Sequence, residues 1–276
     1  MPGTLIVCAT PIGNLADASP RLAETLGAVD LIFAEDTRRT AKLLHHFGIS
    51  TPMKSLFAGN EKHRLDDLTD RLSQGAAIAL VSDAGMPVIS DPGAAAVEAA
   101  ARVGATVTAV PGPSAVTSAL AVSGFSGDRF VFVGFLPRKG KERSLAIGSI
   151  ATEESTVVMF AAPTRVSADL GAMAEVCGAD RRIVVGRELT KIHEEVWRGA
   201  ITDAVRVFGD PARARGEFTV VIEGATPVPP NMDDAVTAAK LLIASGTSTS
   251  DSVREIASSH GVSRRELYDR VLVGRS

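Results

Sequence analysis

The sequence predicts an α/β protein built on a doubly wound parallel sheet. Short apolar runs alternate with stretches of helical periodicity, a pattern typical of right-handed βαβ units. Residues 77–93 are the most informative, because a fully apolar strand is followed by a carboxylate, a glycine and two prolines. Ligands of open α/β sheets bind beyond the carboxyl ends of such strands. The fold class therefore also predicts where a ligand binds.

The loop within this segment has the residues of a rigid ligand-binding turn. Asp83 follows the strand, Gly85 lets the backbone approach a ligand closely, and Pro87 stiffens the turn. Asp91 is expected to cap the next helix, with Pro92 as its first residue. The alternative is an ordinary βα turn in which Asp83 only caps backbone amides.

Three more strands are predicted to end at the same edge of the sheet, at residues 5–9, 29–34 and 106–110. The first is followed by a loop and a helix that opens at Ser19, with Leu22, Leu26 and Val29 on one face. The last turns through two prolines into a helix that starts near Ser114. Parallel strands that end together predict a cleft rimmed by these loops.

The second half of the chain is predicted to form another α/β unit, a linker and a helical extension. Domains are expected at residues 1–115 and 116–224, a proline-rich linker at 225–234, and a small helical domain at 235–276. The predicted strands of the second unit are 129–135, 156–162, 182–189 and 217–223, with an edge strand at 194–198. Its predicted helices are 141–150, 166–177 and 202–208.

The last predicted helices have the spacing of a helix-turn-helix. The positions that set this spacing are Ala257, Gly261, Val262, Leu267 and Val271. Arg264, Arg265 and Arg270 favour contact with phosphates. The alternative is an ordinary helical hairpin that packs on its own protein or on a partner subunit.

Composition indicates a globular chain and sets aside several classes of protein. The 276 residues are 45% hydrophobic and carry a net charge of −3, so no global basic field drives nucleic-acid binding. Only Cys8 and Cys177 occur, which suits reduced thiols better than a disulfide scaffold. No signal peptide and no apolar run long enough to span a membrane is visible, so we expect a cytoplasmic protein.

Several familiar site chemistries lack their residue spacing. No GxGxxG follows the first strand, and the glycine-rich stretch at residues 134–142 has no Ser or Thr after Lys141. The five histidines form no pair with metal-ligand spacing, so no metal is expected. No serine or cysteine has the surroundings of a nucleophile elbow, which leaves covalent hydrolysis without support.

Taken together, four loops closely resemble the signature loops of the tetrapyrrole methylase superfamily. These loops are TPIGNL at 10–15, AEDTR at 34–38, SDAGMPVISDPG at 82–93 and PGPSA at 111–115. Within that superfamily the chain is similar to the branch that methylates 16S ribosomal RNA at a cytidine 2′-oxygen. Further matches are GFLPRKGKER at 134–143, AAPTR at 161–165, RELTKIHEE at 187–195 and GEFTVVIEG at 216–224. Residues 3–224 are covered almost continuously, and the tail fits the carboxyl-terminal extension of that branch.

The resemblance implies S-adenosyl-L-methionine as cofactor, a cleft between two α/β domains, and a homodimer. It also implies 16S rRNA within the small ribosomal subunit as substrate. The first loop lacks the GxGxGD pattern of the porphyrin-methylating members, which argues against a tetrapyrrole substrate. The residues expected at the cofactor are Pro11, Ile12, Asp83, Gly85, Met86, Pro87, Ser114, Ala115, Ala161, Ala162, Glu188 and Leu189.

Methyl transfer to a ribose hydroxyl needs in-line geometry and help in removing a poorly acidic proton. Glu35 and Asp36, beside Arg38, are the candidate bases, while Lys191 could orient a phosphate or stabilise a developing alkoxide. The alternative is that Asp36 and Arg38 form a structural ion pair or a dimer contact.

A basic run is expected to contact RNA phosphates as a flexible arm over the cleft, and a solvated surface loop is the alternative. The run consists of Arg138, Lys139, Lys141 and Arg143. Two other functions stay open: a methyltransferase that acts on a tetrapyrrole or another small molecule, and a metabolite-sensing regulator that binds DNA through its carboxyl-terminal helices.

Overall fold

The computed structural model describes residues 2–226 and 231–273. These residues divide into two compact units, Met1–Ala225 and Thr226–Ser276. The first unit holds two five-stranded sheets with helices, and the second is helical. In the described part of the chain, no helix has both the length and the apolarity needed to cross a membrane.

The first sheet is parallel throughout and has the strand order β3-β2-β4-β1-β5. Its strands are β1 (Thr4–Cys8), β2 (Leu31–Ala34), β3 (Met53–Ser55), β4 (Ala77–Val81) and β5 (Thr106–Val110). The predicted parallel sheet is thus confirmed, with the strand that precedes the 82–93 loop near its centre. Strand β3 was not predicted, because its three residues are too few to show a strand pattern.

Helices cover both faces of this sheet, which confirms the doubly wound layout. They are α1 (Pro20–Ala28), α2 (Thr37–Phe47), α3 (Glu61–Ser73) and α4 (Ala94–Arg102), and a further helix, α5 (Ala115–Ser123), follows β5. Helices α1 and α2 pack on one face, and α3 and α4 on the other. Helix α1 begins as predicted: the Ser19 side chain accepts a hydrogen bond from the Leu22 amide, and Leu22 and Leu26 are buried.

The predicted cap of α4 is wrong. The helix begins at Ala94, and its N-terminal cap is Gly93, whose φ of 129° is one that L side chains rarely adopt. Glu61 of α3 accepts a hydrogen bond from the Gly93 amide at 3.0 Å, while the Val88 amide donates to the Pro92 carbonyl at 3.3 Å. Residues 88–92 therefore close into a turn of their own before the helix starts, and Asp91 lies inside that turn.

The second sheet is mixed, with the order β6-β7-β10-β8-β9. Its strands are β6 (Phe130–Phe135), β7 (Thr156–Ala161), β8 (Arg182–Arg187), β9 (Glu195–Ala200) and β10 (Phe218–Ile222). Strands β6 and β7 are parallel, β10 inserts between β7 and β8 and is antiparallel to both, and β8 and β9 are antiparallel. The predicted edge strand is confirmed as β9, paired with β8.

Helices α6 (Gly140–Thr152), α7 (Val166–Cys177) and α8 (Ile201–Phe208) pack on the second sheet and share its largest apolar core. A smaller cluster joins α5 to the second sheet through Val116, Ala119, Val158, Val184 and Val221. The helix that follows the first sheet therefore packs on the second. This packing holds the strand-end loops of the first sheet against the second sheet.

The carboxyl-terminal unit consists of α9 (Met232–Ala244), α10 (Thr249–Ser259) and α11 (Arg264–Val273). The predicted pair of helices with a tight turn is confirmed in α10 and α11, with Leu267 and Val271 buried. Arg270 pairs with Asp233 of α9 at 2.9 Å, so it also joins two helices of the unit. Helix α9 begins within the predicted linker 225–234, of which residues 227–230 lie outside the described residues.

Replacing Ser252 by Ala should stabilise the carboxyl-terminal unit by about 1 to 3 kcal/mol. The Ser252 hydroxyl of α10 is fully buried and has no hydrogen-bond partner within the described ranges, so the wild-type chain bears its desolvation cost. Hydrogen exchange of the α10 amides in the full chain measures the change. Ser258→Ala, at an exposed position of the same helix, is the matched control and should gain only the smaller difference in helix propensity.

Candidate active site

A cavity of about 390 Å³ lies where the strand-end loops of the first sheet meet the second sheet. This volume lies within the range of small-molecule sites. The lining residues that come from the loops and helices around the first sheet are Ile12, Glu35, Arg39, Asp83, Ala84, Gly85, Met86, Ile89, Ser90, Asp91, Ser114, Ala115 and Val116. Those from the second sheet are Phe135, Phe160, Ala161, Ala162, Pro163, Glu217, Phe218 and Thr219.

Two of the predicted loops are joined directly by backbone hydrogen bonds. The Thr10 amide donates to the Gly85 carbonyl at 2.9 Å, and the Gly85 amide donates to the Thr10 carbonyl at 3.1 Å. Gly85 has a φ of 79°, and a Cβ there would lie 3.4 Å from Ile12 Cγ2. The glycine therefore provides both the left-handed backbone and the close approach that this junction requires.

Side chains join the loop after β2 to the loop after β4. Glu35 accepts a hydrogen bond from the Asp83 amide at 3.2 Å, and Asp83 accepts one from the Asp36 amide at 3.0 Å. Arg39 Nε lies 3.5 Å from the other oxygen of Asp83. Glu35 and Asp83 thus occupy fixed positions at the cavity wall.

Asp36 and Arg38 do not line the cavity but form the ion pair that the alternative interpretation expected. Asp36 caps α2 by accepting from the Arg38 amide at 2.8 Å, and its carboxylate is 2.7 Å from the Arg38 guanidinium. The hydrogen bonds from Arg38 hold the pKa of Asp36 well below its usual range. Such a carboxylate accepts a proton poorly at neutral pH, so the geometry favours a positioning role over that of a base.

Asp91 is the cavity residue that sequence reasoning assigned to another role. It is half-buried, and this burial, with Glu35 and then Asp83 nearby, raises the pKa of Asp91 to about 6, although the nearby Ser82 hydroxyl lowers it. The sequence contained a signal for it, because SDPG at residues 90–93 repeats the Ser-Asp pair that follows β4 at residues 82–83.

The cavity wall is acidic at its polar side and apolar elsewhere. Its charged residues are Glu35, Asp83, Asp91 and Glu217 against the single guanidinium of Arg39. Phe135 and Phe160 pack with ring centroids 5.5 Å apart, beside Ala161 and Ala162. A flat apolar group and a cation fit such a wall better than an anion does.

Two other residues expected at the cofactor, Glu188 and Leu189, lie behind the cavity wall. Glu188 accepts from the Glu217 amide and from Lys191 Nζ, each at 2.8 Å, and Leu189 is buried in the cluster around α5. Burial alone would lower the pKa of Lys191, but its ion pairs with Glu188 and Glu217 raise it. Lys191 is therefore the ion-pair partner of Glu217. Glu217 lines the cavity, and the sequence analysis did not identify it.

The remaining predicted residues fall into different environments. Pro87 is buried and Pro11 half-buried, and neither lines the cavity. Arg138, Lys139 and Lys141 are exposed, and α6 begins at Gly140 within this run. Arg143 is instead bonded to the buried Asp169 at 2.6 Å. In the carboxyl-terminal unit, Arg264 and Arg265 are exposed.

The sequence is similar to those of several known proteins. The family model of the tetrapyrrole (corrin/porphyrin) methylases matches residues 4–205. The chain is 44% identical over 272 residues to ribosomal RNA small subunit methyltransferase I of Synechocystis, with 96% of each protein covered. It is 47% identical over 222 residues to the protein of that name from Thermotoga maritima, which covers 80% of this chain and 99% of the relative.

Solved structures with the same fold are more distant in sequence. A cobalt-precorrin-4 methyltransferase of cobalamin biosynthesis superposes with a TM-score of 0.62 at 15% identity, over 80% of this chain and 94% of the other. A uroporphyrin-III C-methyltransferase from Thermus thermophilus superposes with a TM-score of 0.58 at 12% identity and the same coverage. At these identities the likeness supports the fold alone.

Arg143→Ala should lower the free energy of unfolding by on the order of 2 kcal/mol. This is less than the ~3–5 kcal/mol of a fully broken buried pair, because Arg165 stays bonded to Asp169 at 3.2 Å. Denaturant unfolding of the variant measures the loss. Arg138→Ala, five residues earlier and exposed, is the matched control and should leave stability unchanged; equal effects in both variants would contradict a structural role for Arg143.

Proposed function

The chain belongs to the tetrapyrrole (corrin/porphyrin) methylase family, and we propose that it methylates 16S ribosomal RNA with S-adenosylmethionine as methyl donor. The proposed target is the 2′-oxygen of a cytidine ribose within the small ribosomal subunit. The observation that carries the proposal is the acidic, partly apolar cavity that four strand-end loops form with the second sheet. The names of the relatives support RNA as the substrate class.

The charge of the cavity fits the methyl donor. S-adenosylmethionine carries a sulfonium, an ammonium and a carboxylate, and when bound it supplies an electrophilic methyl group. Asp83, held by the Asp36 amide and Arg39, is placed to accept hydrogen bonds from an ammonium or a ribose hydroxyl. The surrounding carboxylates favour a ligand with net positive charge.

Other parts of the wall fit the remaining groups of the donor. Ser114 caps α5 without a side-chain hydrogen bond, so the first-turn amides near Ala115 can bind an anionic or polar group. Ala161 and Ala162 leave a slot beside Phe160 that suits a flat base. Glu188 and Leu189 support this wall from behind, through Glu217 and the core around α5.

The same charges favour a ribose over a tetrapyrrole as methyl acceptor. A ribose hydroxyl is neutral, whereas the carboxylate side chains of a porphyrin precursor would meet Glu35, Asp91 and Glu217 in the cavity. The first loop, at residues 10–15, also lacks the GxGxGD pattern of the porphyrin-methylating members. Glu35 faces the acceptor in this proposal, and the Asp36–Arg38 pair fixes the loop that carries it.

Binding of the ribosomal subunit is assigned to exposed cations outside the cavity. Strand β6 ends at Phe135, which lines the cavity, and α6 begins at Gly140. The exposed cations Arg138, Lys139 and Lys141 lie between this strand and the first turn of α6. Arg264 and Arg265 of the carboxyl-terminal unit are further candidates for phosphate contact. A ribosomal substrate implies a cytoplasmic location.

A homodimer would cover apolar surface at the edges of both sheets. Strand β5 is an edge strand with four of its five residues exposed, among them Val107. Phe130 and Val133 of the edge strand β6 and Val122 of α5 are also exposed. Exposed strand edges can pair with another chain, and exposed apolar residues can pack against one.

Labelled methyl groups should pass from S-adenosylmethionine to isolated small ribosomal subunits. Naked 16S rRNA should be a poorer acceptor, since recognition of a folded surface is expected, and a uroporphyrin should accept nothing. Nucleoside analysis should place the label in 2′-O-methylcytidine. Label on the base would contradict the 2′-oxygen assignment, and label on the porphyrin alone would contradict the RNA substrate.

Asp83→Ala and Gly85→Val should each weaken S-adenosylmethionine binding by roughly tenfold or more, measured by calorimetry. The first removes a carboxylate from the wall, and the second adds a side chain beside Ile12 on a left-handed backbone. Gly48→Val is the matched control, because Gly48 has a φ of 68° with nothing near its Cβ position and lies outside the cavity. Unchanged affinity in both cavity variants would contradict this placement of the donor.

Replacing Arg138, Lys139 and Lys141 together by Gln should raise the KM for the subunit and leave the affinity for S-adenosylmethionine unchanged. The slope of log K against log salt should flatten by about 0.7–0.9 for each phosphate that the variant no longer neutralises. Gln at the exposed Lys42, Lys62 and Arg102 makes a control of equal charge. If both triple variants behave alike, the basic run before α6 has no particular role.

A further inference from the structure

We infer that Asp91 is the group that takes the proton from the ribose hydroxyl during methyl transfer. This inference rests on the proposed function and names a catalytic residue for it. Asp91 lines the cavity and lies at the carboxyl end of the first sheet, in the loop between β4 and α4. The sequence alone predicts only a helix cap at this position.

Each of the other carboxylates of the cavity has at least one oxygen bonded to an amide or paired with a cation. One oxygen of Glu35 accepts the Asp83 amide, and Asp83 accepts the Asp36 amide while its second oxygen faces Arg39. Glu217 pairs with Lys191 at 3.0 Å. Within residues 2–226, by contrast, no cation and no backbone amide bonds to the Asp91 carboxylate, whose neighbour is the Ser82 hydroxyl. Asp91 is therefore the lining carboxylate whose two oxygens are both free of amides and cations of the described residues, and both are available to a substrate hydroxyl.

The surroundings of Asp91 give it the basicity that this step needs. The charged groups around the cavity are Glu35 after β2, Arg39 on α2, Asp83 after β4 and Glu217 directly before β10. Burial first, and then Glu35 and Asp83, raise the pKa of Asp91 to about 6, while Ser82 lowers it. Above that pH the group is ionised, and it is a stronger base than an ordinary aspartate.

The backbone holds Asp91 in place through a loop that departs from ordinary dihedral angles. Val88 and Ser90 have φ values of 77° and 65°, although neither is a glycine. A Cβ at Gly134 of β6 would lie 3.3 Å from Ser90 Oγ, so the loop reaches the second sheet. Non-glycine residues rarely adopt such φ values and keep them only where the surrounding structure requires it. The turn thus fixes a carboxylate against the cavity.

The step balances without any further reagent. The 2′-oxygen forms a bond to the methyl carbon, the bond between that carbon and sulfur breaks with its electron pair left on sulfur, and the hydroxyl proton passes to Asp91. The positive charge of the sulfonium disappears as Asp91 loses its negative charge. Loss of a nearby cation raises the pKa of a carboxyl group, so Asp91 holds the proton more strongly as the reaction proceeds.

Asp91→Asn should lower the single-turnover rate on pre-bound small subunits by about 10²- to 10⁴-fold, the range expected for loss of a general base. In the wild-type protein the rate should rise about tenfold per pH unit at low pH and level off above the pKa of Asp91 in the donor complex, which lies below about 6 because the bound cation lowers it. The variant should lose this dependence, and Asp91→Glu should restore part of the rate. Asp66→Asn, at an exposed position of α3, should behave as wild type.

Two measurements without turnover accompany the rates. Binding of S-adenosylmethionine should release protons from the wild-type protein near pH 6, because a cation lowers the pKa of Asp91, and calorimetry in buffers of different ionisation enthalpy detects this release. The variant should bind the donor without it. The pKa of the Asp91 carboxyl is higher in the folded protein than in the unfolded chain, so the free energy of unfolding falls as the pH rises from the unfolded pKa to the folded one. Asp91→Asn removes this loss and should be at least as stable as the wild-type protein at pH 7.

The outcomes separate this inference from the function on which it rests. A wild-type protein that neither binds S-adenosylmethionine nor methylates the subunit would overturn both. A wild-type protein that does both, while Asp91→Asn keeps the rate, the pH profile and the proton release, would overturn the role of Asp91 alone. If Glu35→Gln, and not Asp91→Asn, lowers the rate and abolishes the pH dependence and the proton release, the role of Asp91 is also overturned. The proton then passes to Glu35.

Discussion

The parallel pairing of β1 with β4 and β5 is the constraint on which the rest of the site depends. It brings the ends of three strands to one edge, where two backbone hydrogen bonds join Thr10 to Gly85. Helix α5 leaves that edge and packs on the second sheet, so the second sheet faces the same loops. A change at this junction would therefore displace both walls of the cavity.

The cavity concentrates negative charge at a cost to the folded protein. Carboxylates close together repel each other, and Glu35 and Asp83 add to the burial that chiefly raises the pKa of Asp91. Much of the remaining charge is compensated locally, by amides at Glu35 and Asp83 and by Lys191 at Glu217. A cationic donor would relieve the rest, so binding energy and reactivity arise from the same arrangement.

Sequence reasoning succeeded where local signals and the fold agree. Strand β5 and helix α7 have their predicted bounds, and Ser19 caps α1 as expected. It missed β3, whose three residues pair only because β2 offers an edge. It also placed Arg143 among exposed cations, although the partner that buries it, Asp169, is 26 residues away and belongs to another helix.

The sequence by itself determined the α/β class, the strand ends at which a ligand binds, and the loops that resemble one family, because periodicity and turn residues act over a few positions. The tertiary structure alone decided which carboxylates face the cavity. Asp36 is adjacent to Glu35 yet pairs outward with Arg38, whereas Asp91 turns inward through a strained loop. The physical reason is that the orientation, burial and pKa of a side chain depend on neighbours distant in sequence, and these meet only when both sheets are assembled.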